Sequence, residues 1–206
     1  MRRRGAYAKG IAKREEILER ALEVIARDGY DGASIRAIAD AVELSQAGVL
    51  HYFDSKEELY TELLRKRDMK DRARFWPTFP DVDARQAQEG YLALMRHNAS
   101  VPGLVELFSR MSVDAAAPDH PAHEFFLERG LYVRDMFIKA YTGRVRASVD
   151  VEALAKLIQA TADGVQLQWL LDPSIDLVAP VEALFASLSR YVLQDAASAD
   201  QPGPAQ

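Results

Sequence analysis

A chain of 206 residues, carrying 26 lysines and arginines against 31 aspartates and glutamates for a formal net charge of -5, fits one or two domains with a substantial buried core. Its lack of cysteine excludes a disulfide framework, a thiolate zinc site and a cysteine redox sensor, and suits the reducing cytoplasm in which we expect the protein to work. No apolar run reaches the ~18 residues of a membrane span and no hydrophobic signal core precedes the first charged segment, so neither membrane insertion nor export is expected.

Charge is unevenly divided. Residues 1–70 hold 14 basic and 13 acidic residues, residues 71–206 hold 12 and 18, and the basic excess sits at the front: Arg2, Arg3, Arg4, Lys9, Lys13 and Arg14 occur before any acid. Residues 1–10 are therefore expected as a basic flexible arm able to follow phosphates or enter a minor groove. Ile17, Leu18, Ala21, Leu22, Val24 and Ile25 follow at helical spacing, ending at Asp28-Gly29, where glycine suits a left-handed cap. Ile35, Ile38, Ala39 and Val42 mark one face of a second helix with Ser34 as its cap. Ser45 caps a third of about two turns, Gln46 to Tyr52. Ser55-Lys56-Glu57-Glu58 has the spacing of a capping box and starts a fourth, longer helix expected to run to about Arg74, before Trp76-Pro77 and Phe79-Pro80. Helices two and three form a helix-turn-helix.

Beyond it the pattern is helical throughout: about Ala84 to Ser100, Gly103 to Ala116, Pro121 to Thr142, Val151 to Leu171 and Ser174 to Ala196, punctuated by Pro102, Pro118, Pro121, Gly143 and Pro173. No segment alternates as a strand would. The expected fold is all-α, with an N-terminal three-helix head that carries the helix-turn-helix and a larger C-terminal helical body. The boundaries are 1–10 for the arm, 11–55 for the head, 56–75 for a connecting helix, 76–195 for the body and 196–206 for a proline-rich disordered tail.

The head resembles the DNA-binding domain of the tetracycline-repressor (TetR) family of bacterial transcription regulators over residues 11–66. The resemblance is carried by Ser34, Arg36 and Ala39, Leu44-Ser45, Tyr52-Phe53 and Ser55-Lys56 with Glu58-Leu59. Three positions depart from the family pattern: Glu43 replaces the turn glycine, Ala47-Gly48 stands for glycine-threonine, and Leu50 replaces a tyrosine. Glu43 in a left-handed conformation costs about 1 kcal/mol or more. Chemically, Gln46 can pair with adenine, Ala47 can touch a thymine methyl, and His51 can reach a base. The resemblance implies that Arg36 also contacts a base, and that Ser34, Ser45, Gly48, Tyr52 and Lys56 contact phosphates of double-stranded, palindromic DNA.

Two further roles belong to the body. The last two helices are apolar on broad faces, which a single chain covers only in part, and Leu154, Ile158, Val165, Leu184, Leu188 and Tyr191 are the expected contacts of a homodimer, as the resemblance also implies. Trp76, Met95, Phe108, Met111, Phe126, Gln166 and Trp169 could line a mostly apolar pocket, and the resemblance implies that a small, largely apolar effector binds there. His120 and His123, with Asp119 and Glu124 nearby, have a spacing open to metal, but Pro121 makes a helix-cap region the favoured interpretation, and no metal or cofactor is expected. No nucleotide-binding loop or nucleophile-base signature occurs, so no enzymatic activity is expected. The expected function is a ligand-responsive, sequence-specific transcriptional regulator, commonly a repressor. The alternative is a helical small-molecule carrier whose head no longer reads DNA, an option kept open by Glu43 and Leu50.

Overall fold

The computed structural model describes residues 2–76, 81 and 83–191. Among them the chain forms nine helices and no strand: α1 (Arg2–Gly32), α2 (Ile35–Ala41), α3 (Gln46–Leu50), α4 (Lys56–Phe75), α5 (Ala84–Ala99), α6 (Pro102–Asp114), α7 (His123–Tyr141), α8 (Val151–Leu171) and α9 (Ala179–Tyr191). None of the described helices is long and apolar enough to cross a membrane. The expected tail, 196–206, lies outside the described residues.

Local chemistry explains most of the ends. Gly29 has φ 76°, the left-handed value foreseen from the sequence, and there the chain turns out of regular helix while α1 is still completing its last residues. Pro102 occupies the first turn of α6, where its missing N–H leaves no donor unpaired. Asp150 caps α8 by accepting from the Glu152 and Ala153 amides at 2.9 and 3.1 Å. Two ends differ from expectation. α9 starts at Ala179 and not at Ser174, because residues 172–178 are taken up by two aspartate turns: Asp172 accepts from the Ser174 amide and hydroxyl, and Asp176 accepts from the Val178 and Ala179 amides. α1 begins at Arg2, so the stretch expected as a flexible arm has helical backbone continuous with the first helix.

The chain packs as two units, and they do not follow the expected division at residue 75. The first comprises Met1–Phe75 with Arg96–Arg129, the second Trp76–Met95 with Gly130–Gln206. In the first, Leu104, Leu107 and Met111 of α6 and Phe125 of α7 enter the same apolar core as Ile17, Leu18 and Ile25 of α1, Ile38 of α2, Val49 of α3, and Leu59 and Leu63 of α4. Each such side chain, fully buried, contributes about 1.5–3 kcal/mol. A five-residue helix such as α3 has little stability alone. It is held by Val49, completely buried, and by the adjoining Phe53, 2% exposed.

The second unit is organised around aromatic rings. Tyr91 meets Phe137 edge-on at 5.2 Å between ring centres and Phe185 at 6.2 Å, and Phe137 stacks on Tyr141 at 6.0 Å. The Tyr141 hydroxyl, buried, accepts from Gln88 Nε2 at 2.7 Å, and burial pushes its pKa up. α8 and α9 pack together and bury Leu154, Ile158, Val165, Val181, Phe185 and Leu188.

Candidate nucleic-acid interface

Ser34 and Ser45 build the two helices of the reading unit at their N-termini. The Ser34 hydroxyl accepts from the Ala37 amide at 3.1 Å, and the Ser45 hydroxyl from the Gly48 amide at 3.0 Å. Such caps are each worth about 1 kcal/mol. Ser55 and Glu58 close a reciprocal box at the start of α4, with the Glu58 amide donating to Ser55 at 3.0 Å and the Glu58 carboxylate accepting from the Asp54 amide at 2.5 Å. Between α2 and α3, Glu43 holds φ 56°, the one left-handed non-glycine residue among those described. The strained turn inferred from the missing glycine is thus present.

The two helices divide their residues by direction. Ile38, Ala39, Val42 and Val49 are buried, while Ser34, Arg36, Ser45, Gln46, Ala47, His51 and Lys56 are exposed, with Gly48 and Tyr52 half-buried. All four expected base-contacting side chains, Arg36, Gln46, Ala47 and His51, therefore face solvent on consecutive short helices. Of the five expected phosphate contacts, all with accessible surface, Ser34, Ser45, Gly48 and Lys56 lie at or beside three helix N-termini, whereas Tyr52 follows the C-cap of α3. At the N-termini, unpaired amides and the helix dipole favour an anion. Tyr52 also packs its ring edge-on against His51 at 5.7 Å, and the Lys56 ammonium lies 5.1 Å from the Tyr60 ring centre. Leu50, in the position of the family's tyrosine, is 41% exposed and supplies apolar surface in place of a hydroxyl.

Charged side chains brace this head in a way the sequence pattern did not disclose. Lys13 and Arg14, counted among the basic residues at the front, are engaged inside the protein. Lys13 donates to the Val42 carbonyl at 3.0 Å and to Glu16 at 2.9 Å. Arg14 pairs with Glu62 at 3.0 Å and lies over the Phe53 ring at 4.7 Å. The signal was available in the three-residue spacing from Lys13 to Glu16. Its partner on α2, 29 residues away, was not. Tyr60 adds a buried hydrogen bond to the Ala33 carbonyl at 2.8 Å, and burial pushes its hydroxyl pKa up to about 12.

Further along, α4 carries a line of charges into the first unit's interior. Lys66 pairs with Glu15 and Glu19 of α1, and Arg67 donates to Asn98 at 2.6 Å and to the Leu104 carbonyl at 2.9 Å. Asp68 pairs with Arg129 at 3.3 Å, and Asp71 faces both Arg67 and His97, at 3.5 and 3.9 Å. Burial dominates here: it lowers the Arg67 and His97 pKa values and raises that of Asp71 despite the attraction of Arg67. Such pairing holds α4 to α1, α6 and the adjoining ends of α5 and α7 with directional bonds as well as apolar contact.

The expected body sites are placed as follows. Of the pocket set, Trp76, Met95, Gln166 and Trp169 belong to the second unit and Phe108, Met111 and Phe126 to the first. Trp76 Nε1 donates to the Ala87 carbonyl at 3.5 Å and its ring is 6.1 Å from Tyr91, whereas Phe108 and Phe126 pack at 5.1 Å with Arg129 over Phe108. Of the dimer set, Leu154, Ile158, Val165 and Leu188 are between 0 and 7% exposed within a single chain and Leu184 is half-buried, so they have little surface left for a second copy. The side chain of Tyr191 lies outside the described residues. Solvent is met instead by an adjacent stripe of α8, Ala153, Leu157, Ala160, Gly164, Leu167 and Leu171, at alternating four- and three-residue steps. Leu157 is 53%, Leu167 50% and Leu171 88% exposed. Periodicity marks α8 as apolar on broad faces, but does not say which arc faces its own chain. His120 and His123 spend ring nitrogens on backbone: Ala122 N–H donates to His120 Nδ1 at 3.1 Å, and His123 Nδ1 is 2.8 Å from the Ala115 carbonyl, consistent with a cap region.

Two capped short helices joined by a left-handed turn, with Arg36, Gln46, Ala47 and His51 facing solvent, on an otherwise helical chain, define a helix-turn-helix head. The description "Bacterial regulatory proteins, tetR family" matches residues 17–63. The HTH-type transcriptional repressor AcnR of Corynebacterium efficiens is 28% identical over 160 residues, 76% of this chain and 81% of that repressor. Over 55 residues the HTH-type transcriptional regulator RutR of Escherichia coli is 38% identical, covering 27% of this chain and 26% of RutR. A TetR transcriptional regulator from Chloroflexus aurantiacus has the same fold, with a TM-score of 0.71 at 23% identity over 91% of this chain and all of that one. Over residues 17–63 the chain is thus similar to the DNA-binding head of the TetR family, and over most of its length it is similar to repressors that carry such a head.

Proposed function

We propose that the protein is a homodimeric, sequence-specific transcriptional repressor that releases a palindromic operator when a small molecule binds its helical body. The single observation that supports this most is the joint exposure of Arg36, Gln46, Ala47 and His51 on helices whose other faces are locked into the core. Arginine suits the two acceptors of guanine, glutamine those of adenine, and alanine the thymine methyl, while Ser34, Ser45, Gly48, Tyr52 and Lys56 hold the backbone. Two heads related by a twofold axis would meet successive major grooves, roughly 34 Å apart. The exposed stripe of α8 offers a second copy an apolar seam.

Effector binding is assigned to the body, with Trp76 and Trp169 among the lining residues. An effector acts only by preferring the conformation whose heads no longer match the operator spacing. Since the chain has two tryptophans, both in the proposed lining, intrinsic fluorescence reports occupancy directly.

Selection of bound DNA from a random library, followed by a salt titration on the winner, tests the proposal. A symmetric consensus bound far more tightly than mixed-sequence DNA, with affinity falling steeply in salt, is the expected outcome. Failure to enrich any sequence at low salt refutes it.

A further inference from the structure

The turn of the helix-turn-helix is held from outside by a residue of the first helix. Glu43 sits at φ 56°, where a side chain other than glycine is disfavoured. On either side of it the backbone is tightly tied: the Val42 and Leu44 amides both donate to the Ala39 carbonyl, at 3.2 and 2.9 Å, and the Glu43 amide reaches Asp40 at 3.4 Å. The carbonyl of Val42, immediately before the strained residue, accepts from Lys13 Nζ at 3.0 Å in a partly buried setting. α2 has no basic residue in its own last turn, so Lys13 brings a cation to that C-terminus from another helix. Glu16 holds the ammonium in place at 2.9 Å, and Lys13, Glu16, Arg20, Val42 and Glu43 line one shallow crevice.

We infer that Lys13 is a positioning residue for DNA reading: by clamping the Val42 carbonyl it stabilises the left-handed turn at Glu43, and thereby sets the direction in which α3 carries Gln46, Ala47 and His51. The clamp takes the place of the glycine that would have made the turn without strain. It rests on the DNA-binding function proposed above. It also makes one residue of the basic N-terminal cluster part of the reading unit's frame.

The experiment uses the full chain and the library-selected operator, with mixed-sequence DNA as the comparison. Lys13→Ala is expected to weaken operator binding about tenfold, the scale of one lost charge-assisted hydrogen bond, while mixed-sequence binding changes by less than about threefold. Lys13→Arg, which can still reach the carbonyl, restores most of the loss. Glu43→Gly combined with Lys13→Ala brings operator affinity back to within about threefold of the parent, because the strained residue is gone. Independently of DNA, hydrogen exchange at the Leu44 amide speeds up in Lys13→Ala and not at the Leu63 amide in the core. Equal losses on operator and mixed DNA would make Lys13 a phosphate contact and overturn the clamp. A tenfold loss that Glu43→Gly leaves untouched, or an unchanged Leu44 exchange rate, overturns it as well. If the parent chain binds no DNA, the functional proposal fails with it; if the parent binds and Lys13→Ala binds as well, only the clamp does.

Discussion

Gly103 is the position at which the packing of the first unit leaves no room at all. A Cβ built there would lie 2.4 Å from the Ile25 carbonyl oxygen and 2.7 Å from Gly29 Cα, both backbone atoms of α1 that cannot rotate away. Carbon needs about 3.5 Å from such neighbours, so Gly103→Ala forces α6 back by about 1 Å, a gap that forfeits a quarter to a half of the dispersion energy of the contacts it opens. Overpacking of this kind costs about 1–3 kcal/mol, against which the better helix propensity of alanine returns at most about 1 kcal/mol. The expected net loss is about 1–2 kcal/mol, read as a lower urea midpoint at unchanged slope. Gly130→Ala is the matched control: its nearest neighbour is the Gln159 side chain at 3.7 Å, an ordinary contact, and a gain of about 0.5–1 kcal/mol is expected. Gly103→Ala as stable as the parent would refute the claim that α6 and α1 meet backbone to backbone.

The DNA face, the assembly and the partly buried His97 beside α4 each respond to a single substitution. Gln46→Ala should relax base preference at a cost of about 1–3 kcal/mol on the selected site, whereas Lys56→Ala should weaken all DNA alike and lower the salt slope by about 1. Identical effects of the two changes would contradict the division between reading and holding. Leu157→Glu should convert the proposed dimer to monomer in sedimentation without loss of helix, while Ile158→Ala should leave association intact and cost about 2–5 kcal/mol of stability; the reverse pattern would put Ile158 in the seam. Burial lowers the His97 pKa, so between the folded value and the ordinary imidazole value the unfolded chain takes up a proton that the folded chain refuses. Stability from this residue is present above the unfolded value and is lost as pH falls from there through the folded value. His97→Gln should therefore lose less Tm than the parent between pH 7 and 5, and NMR should place the imidazole titration below about 6.5; Asp71, raised by burial, opposes the trend in both chains.

Helix existence, cap identity and the exposed reading set were legible before any packing was considered. Each depends on neighbours within four residues: Ser34 to Ala37, Ser45 to Gly48, Ser55 to Glu58, and the apolar phase that turns Ile38 and Val49 inward and leaves Arg36 and Gln46 outside. Even the strained turn at Glu43 could be inferred, since only backbone geometry was at issue.

What needed the folded chain were relations between distant residues. Lys13 meeting Val42, Arg67 meeting Asn98, and α6 joining the head's core beside α1 all span tens of residues, and no local period encodes them. For the same reason the apolar pattern of α8 could not tell that Leu154, Ile158 and Val165 are covered within their own chain while Leu157, Leu167 and Leu171 stay exposed: hydrophobicity says a face is to be buried, and only packing decides what buries it. Short-range hydrogen bonding and side-chain phase are properties of the amino-acid order. Which surfaces remain for DNA or a second subunit follows from what the rest of the chain has already covered.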